Sequence, residues 1–341
     1  MKALLIGGTG IISTAITRLL ATKPEWEVYV LNRGQRTDIT LPANVKVLTA
    51  EVHDEAKVGE LIKDLHFDVV ADFITFVPSQ LESRYRLFKD KCKQYMFISS
   101  ASAYQKPLSD YRVSEATPLA NPHWEYSRNK IACEATLLRL YQEEGFPVTI
   151  VRPSHTYDDR YIPLGVHGDK GSWSVVKRMR EGKPVIIHGD GTSLWTMTHN
   201  SDFAKGFVGL MGNLHAIGES VQITSDETLT WNQVYSAIAN VLGVKLKPYY
   251  VASDFLAKCA PDYDFAGSLI GDKANSVVFD NTKLKRLVPE FVATKRFDQG
   301  IREVIENVLA TPALQVEDAE FDAWCDKVID ALEWAIEGVT G

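Results

Sequence analysis

The sequence is short of the features that mark a membrane, metal or nucleic-acid protein. No apolar run approaches the roughly 20 residues that a bilayer-spanning helix needs. The first apolar stretch, "ALLI" from Ala3, runs straight into a glycine turn, unlike a secretory leader. A cytoplasmic protein with no membrane partner is expected. The four cysteines, Cys92, Cys133, Cys259 and Cys325, are scattered without a CxxC pair, so they read as reduced thiols. The eight histidines show neither HxH nor HExxH spacing, so no metal site is expected. A formal charge of −7 argues against a nucleic-acid surface, which requires clustered excess Lys and Arg. The short basic stretch "KRMREGK" (177–183) reads as a solvated helix face, and no internal repeat or low-complexity linker occurs.

What is present is alternation. Short apolar runs at 3–6, 27–31, 45–49, 68–74, 94–98 and 147–151 are separated by helical patterns at 13–22, 55–65 and 80–92. Strands alternating with helices form βαβ units, and these stack into a parallel sheet covered on both faces. The expected fold is α/β: a doubly wound parallel Rossmann sheet with a smaller C-terminal substrate-binding lobe. The dinucleotide-binding domain is expected over 1–163, with 196–222 returning to it. The lobe takes 164–195 and 223–341, where Gly- and Pro-containing loops break the alternation. An amphipathic helix over 320–338 is expected to pack back on the body.

Between the first strand and the first helix lies "GGTGIIS", with Gly7, Gly8 and Gly10. Glycines there let the backbone turn sharply and approach a pyrophosphate, and the following helix offers its N–H groups and positive end. Gly7, Thr9, Gly10, Ile11 and Ile12 are therefore the expected phosphate cradle. Ser13 stands where a dinucleotide fingerprint has its third glycine, a position that serves helix–strand packing. The second strand ends in Asn32 and Arg33 instead of a carboxylate for the adenosine ribose. No acid is present to repel a 2′-phosphate and a guanidinium is present to pair with one, so NADP is preferred and NAD is the alternative. Stacking of Arg33 on the adenine would admit either. Glu51 and Val52, closing the third strand, fall where the adenine amino group belongs.

Two further stretches carry chemistry. "MFISSASAY" (96–104) brings serines to the carboxyl edge of the sheet, and "WEYSRNKIACEATLLRLY" (124–141) is a helix on which Tyr126 and Lys130 share a face. An ammonium beside a phenol favours the phenolate, which suits the phenol for acid–base work on a hydroxyl or carbonyl.

With these residues in place, the chain resembles the extended short-chain dehydrogenase/reductase family, in its NAD(P)-dependent epimerase/dehydratase branch. The likeness runs from residue 1 to about 310 and includes "GGTGIIS", "FISSASAY", "SRNKIACE", "VRPSHTY" and "THNSDFAKGF". It implies Tyr126 as the acid/base, Lys130 as the group orienting the nicotinamide ribose, and Ser100 as their assistant. It also implies cofactor contacts at Phe73, Ile74, Thr75, Ser99 and Pro153. Members commonly pair through two helices, here about 80–92 and 126–142, so a homodimer is expected.

Departures from the family pattern narrow the substrate. Sugar-nucleotide dehydratases of the family carry an Asp-Glu pair where this chain has Ala101 and Ser102. Nucleotide-sugar epimerases carry an Asn where His155 stands, and a diphosphate-gripping Arg where Trp195 stands. Ser102, His155 and Trp195 thus become the expected substrate contacts, for a carbohydrate-like carbinol or ketone. Epimerisation is the favoured reaction and simple reduction of a small carbonyl the alternative. The same scaffold also includes chloroplast RNA-binding proteins, so a silent RNA-binding or cofactor-sensing protein is the remaining reading.

Overall fold

A computed structural model describes residues 1–36 and 38–340, which divide into two compact units. The first comprises Met1–Thr156, Thr198–Asp226 and Phe279–Thr294, and the second Tyr157–Met197, Glu227–Val278 and the chain from Lys295 onward.

The first unit is built on seven strands: β1 (Lys2–Ile6), β2 (Glu27–Asn32), β3 (Lys46–Thr49), β4 (Val69–Asp72), β5 (Tyr95–Ile98), β6 (Val148–Pro153) and β7 (Ser220–Ile223). They lie in the order β7-β6-β5-β4-β1-β2-β3, every pairing parallel. Its helices are α1 (Ile11–Ala21), α2 (Glu55–Leu61), α3 (Pro78–Phe88), α4 (Glu125–Glu144) and α5 (Asn200–Leu210).

Successive strand residues point to opposite faces, so the apolar runs feed two cores at once. Leu5, Val30 and Ala71 join Ile16 and Leu20 of α1 and Phe203 and Phe207 of α5 on one face. Leu4, Leu31 and Val70 join Leu81 of α3 and Leu137 of α4 on the other. At about 1.5–3 kcal/mol for each large side chain buried, this double coverage holds the sheet edge rigid. Residues 279–294, placed in the lobe on sequence grounds, return to the first unit. Leu284, Val288 and Phe291 are buried in the same core as Phe203 and Val221.

Ionic clusters cross this apolar interior, one of them centred on Glu134. Glu134 of α4 receives Arg152 of β6 through Nε (3.0 Å) and Nη2 (2.6 Å), and also accepts the Ser99 hydroxyl. Arg152 lies 5.0 Å from the Tyr104 ring centroid, and the Tyr104 hydroxyl donates to Gln222 at 2.8 Å.

The second unit has a parallel pair, Val185–His188 with Pro248–Val251, and an antiparallel pair, Leu194–Trp195 with Leu229–Thr230. Helices Trp173–Arg180, Trp231–Leu242, Phe297–Ala310 and Ala319–Thr340 surround them, with a π-helix at Ala266–Lys273. The last helix buries Phe321, Cys325, Val328 and Ile329, and Arg178 donates to Asp322 and Asp326 on it. No helix among the described residues is long and apolar enough to cross a membrane.

Removing one member of a buried ion pair strands the other. Glu134→Ala is expected to cost about 3–5 kcal/mol in urea unfolding, because Arg152 then stays buried without a counter-charge.

Candidate active site

The carboxyl ends of the parallel strands gather the functional residues at one edge of the sheet. β1 ends in the glycine turn. Gly7 adopts φ +82°, a left-handed conformation that glycine enters without strain. A Cβ on Gly7 would lie 2.5 Å from Ile74 Cγ2, and one on Gly8 2.8 Å from Val30 Cγ2, so both glycines are dictated by close approach.

Ser13 does more than fill the position of a third glycine. Its buried hydroxyl donates to Gly7 O (2.6 Å) and accepts from Gly10 N (2.8 Å), closing the turn on itself. Thr17 repeats the device, donating to Gly8 O at 2.8 Å. A glycine could supply neither bond.

Beside the turn opens a cleft of about 390 Å³. Of the expected cofactor residues, Gly7, Thr9, Gly10, Asn32, Arg33, Glu51, Val52 and Ile74 line it together. Arg33 is exposed and stands 3.8 Å from Glu51. Arg36, Phe76 and Gln80 also line the cleft and were not anticipated. Arg36 donates through Nη1 to Thr9 O at 2.8 Å, so a second guanidinium is anchored on the glycine turn. Ile11 opens α1 and is exposed, whereas Ile12 packs against the core. Phe73 is partly buried, its ring 5.5 Å from Phe207 and packed against the apolar core.

At the neighbouring strand ends sits Lys130, whose side chain is buried. Its ammonium donates to Thr75 O (2.7 Å) and Ile98 O (2.8 Å). Three rings surround it, with centroids at 4.7 Å for Phe76, 4.8 Å for Phe97 and 5.7 Å for Tyr126. Burial pushes its pKa down to about 8, against the opposing pull of Cys133, Asp72 and Glu134. Tyr126 is half-buried, its ring 5.0 Å from Trp124.

Ser100, at the end of β5, caps a short turn over Ala101–Ala103 by accepting from Ser102 N at 3.1 Å. Ser102 was expected to face substrate, yet it is buried. Its hydroxyl lies 2.8 Å from Ser100 Oγ and accepts from Ser127 Oγ at 2.7 Å. The three hydroxyls form a chain from α4 to the strand end, with Ser102 as its middle link. Ser99 is turned inward toward Glu134, and Pro153 is buried at the end of β6. His155 is half-buried just beyond it. Trp195 belongs to the second unit, where it is buried and stacked on Trp231 at 6.2 Å, its indole N–H without a hydrogen-bond partner there.

The tight glycine turn, the cleft beside it and the ammonium at the strand ends fit a nicotinamide dinucleotide. The Gly7–Gly10 backbone and the start of α1 suit its pyrophosphate, and Arg33, Glu51 and Val52 its adenosine end.

Two outcomes follow from this geometry. Ser13→Ala removes both cinching bonds and is expected to cost about 1–2 kcal/mol in unfolding and to weaken dinucleotide binding, measured by fluorescence titration. Lys130 titrates at about 8 in the folded chain and near 10.5 when unfolded, so the unfolded chain holds the extra proton between these values. Stability should therefore rise with pH across that window, and Lys130→Met should flatten the rise in unfolding measured at several pH values.

The model of the NAD dependent epimerase/dehydratase family matches residues 3–223. A 2'-dehydrokanamycin reductase of Streptomyces kanamyceticus is 25% identical over 291 residues, 85% of this chain and 80% of that protein. The chloroplast stem-loop binding protein of 41 kDa b from Arabidopsis thaliana is 24% identical over 255 residues, 71% of this chain and 63% of that one. Among solved structures, UDP-glucuronic acid 4-epimerase from Bacillus cereus, in complex with UDP-glucuronic acid and NAD, superposes with a TM-score of 0.72 at 19% identity. That superposition covers 91% of this chain and 99% of that one. The chain belongs to the NAD-dependent epimerase/dehydratase family and is an enzyme of the extended short-chain dehydrogenase/reductase type.

Proposed function

We propose that the enzyme exchanges a hydride at a carbinol or ketone carbon of a carbohydrate-like substrate that carries no nucleotide diphosphate, preferring NADP(H) over NAD(H). The observation that carries this reading is the buried Lys130 ammonium, clasped by the carbonyls of Ile98 at the end of β5 and Thr75 in the loop after β4, one helical turn from Tyr126. When bound, the nicotinamide supplies or accepts the hydride. The chain's own residues move the proton: the Tyr126 phenolic oxygen takes it from a carbinol hydroxyl, or returns it to a carbonyl oxygen being reduced. Lys130 holds positive charge beside that phenol and orients the ribose.

Ser100 positions the reacting oxygen. Ser127 donates to Ser102, whose hydroxyl pairs with that of Ser100 and whose backbone N–H donates to it; when Ser102 is the donor of that pair, the Ser100 hydroxyl proton is left to donate to the reacting oxygen. At the adenosine end Arg36 is held bidentately by Asp38 and by Thr9 O, so the exposed Arg33, 3.8 Å from Glu51, is the guanidinium suited to a 2′-phosphate.

Epimerisation, with oxidation and reduction inside one catalytic cycle, is the first reading. Net reduction is the second, favoured by the relative named as a reductase, which matches 85% of the chain. The absence of an Arg at Trp195 supports a substrate without a diphosphate in either case. The stem-loop binding relative does not extend to RNA here, because the net charge of −7 would repel a polyanion. We also propose a homodimer formed through α3 and α4.

Tyr126→Phe is expected to lower turnover by about 10²–10⁴-fold while dinucleotide binding stays within a factor of about two. Retained turnover would remove Tyr126 from the chemistry. Nicotinamide absorbance separates the reactions, since an epimerase turns over without net change and a reductase consumes cofactor stoichiometrically. Arg33→Ala should weaken NADP(H) more than NAD(H), and equal weakening in binding titrations would end the NADP preference.

A further inference from the structure

The last residue of β4 is a carboxylate with no access to water. Asp72 is fully buried and accepts five hydrogen bonds. Oδ1 receives Ile74 N (2.9 Å) and Thr75 N (3.0 Å). Oδ2 receives Thr75 Oγ1 (2.7 Å), Arg84 Nε (3.0 Å) and the Tyr95 hydroxyl (2.8 Å). Arg84 of α3 is equally buried, and its Nη1 donates to Val52 O at 3.1 Å, on the wall of the nucleotide cleft. The loop that Asp72 folds over itself is the one whose Thr75 carbonyl receives the Lys130 ammonium.

An ion pair this dry is a poor device for stability alone, since apolar side chains of similar volume usually serve as well or better. Its position suggests another use. One carboxylate bends the 73–75 segment, aims the Thr75 carbonyl, and supplies negative charge behind the ammonium that this carbonyl holds.

We propose that Asp72, clamped by Arg84, is a positioning residue for Lys130. It acts through the Thr75 carbonyl and, by way of Arg84 and Val52, ties the setting of that lysine to the wall of the nucleotide cleft. The inference rests on the role given to Lys130 under the proposed function.

The charged and titratable groups around Lys130 are few. Tyr126, Cys133 and Glu134 lie on its own helix. Asp72 faces it from β4, with Arg84 of α3 paired to Asp72, and Arg152 of β6 is paired to Glu134. Of these, Asp72 favours the ammonium without lying on the same helix or contacting substrate.

The test uses the full chain, isotope-labelled at lysine Cε, with the Lys130 resonance assigned by Lys130→Arg. Asp72→Asn keeps the shape, removes the charge and turns an amide donor toward Arg84 or Thr75. The Lys130 titration midpoint is expected to fall below that of the wild type, in the absence of cofactor. In turnover assays the basic limb of the kcat profile should move down with it. At fixed pH kcat should drop about tenfold, equivalent to about 1.4 kcal/mol, with little change in substrate KM.

An unmoved midpoint in folded Asp72→Asn overturns the proposal. A midpoint that moves while the kcat limb stays put leaves Asp72 as a positioner and instead overturns the catalytic role of Lys130. If Asp72→Asn does not fold, Thr75→Val and Thr75→Ser decide. The valine deletes the Thr75 Oγ1 bond and should shift the Lys130 resonance and lower kcat several-fold, and the serine should restore both. A valine variant matching the wild type in both measurements overturns the proposal equally.

Discussion

A buried ammonium has to be surrounded by oxygen, and much of this site follows from that requirement. Lys130 is sealed from water among Phe76, Phe97 and Tyr126, so its charge survives only because the Thr75 and Ile98 carbonyls reach it. The Ile98 carbonyl comes from the carboxyl end of β5 and the Thr75 carbonyl from the loop just after β4, where the sheet ladder stops and backbone oxygens become available. The parallel sheet thus does more than carry the helix bearing Tyr126. It ends in the acceptors that let a lysine stay charged, or nearly so, in an apolar place.

Two buried ion pairs support that arrangement from opposite sides. Glu134 with Arg152 fastens α4 to β6 and catches Ser99 at the end of β5. Asp72 with Arg84 folds the loop after β4 and reaches across to the cleft wall. The site lies between them, with its serine chain running from α4 back to the strand end. Charges this deep cost desolvation energy that only well-made hydrogen bonds repay, and Asp72 accordingly accepts five while Glu134 accepts from Arg152 and Ser99. The glycine turn is treated similarly: Ser13 and Thr17 bond its carbonyls from below, leaving its outer side to the cleft.

Much of this was legible in the residues. Alternating strand and helix patterns implied a doubly wound parallel sheet, and the strand–glycine–helix context identified the cradle. The helical spacing of Tyr126 and Lys130 implied that they share one helix, because periodicity and spacing are local properties of a chain. Arg36 was missed because it lies in an irregular segment, where no periodicity predicts which way a side chain returns. Asp72 and Arg84 were missed because a carboxylate at a strand end and an arginine on a helix read as surface residues until their burial is known. Ser102 was misjudged for the converse reason: it neighbours Ser100 in sequence but turns beneath it.

The sequence by itself determined the fold class, the family and the two ends of the site, since backbone-forming patterns and short motifs carry that information within about 20 residues. Only the tertiary structure decided which polar side chains are buried together. Asp72 with Arg84, Glu134 with Arg152, and Ser100 with Ser102 and Ser127 span separations from 2 to 25 positions along the chain. Whether such a group is a solvated charge or part of a dry network depends on the water around it, and water is excluded only when distant segments close over one another.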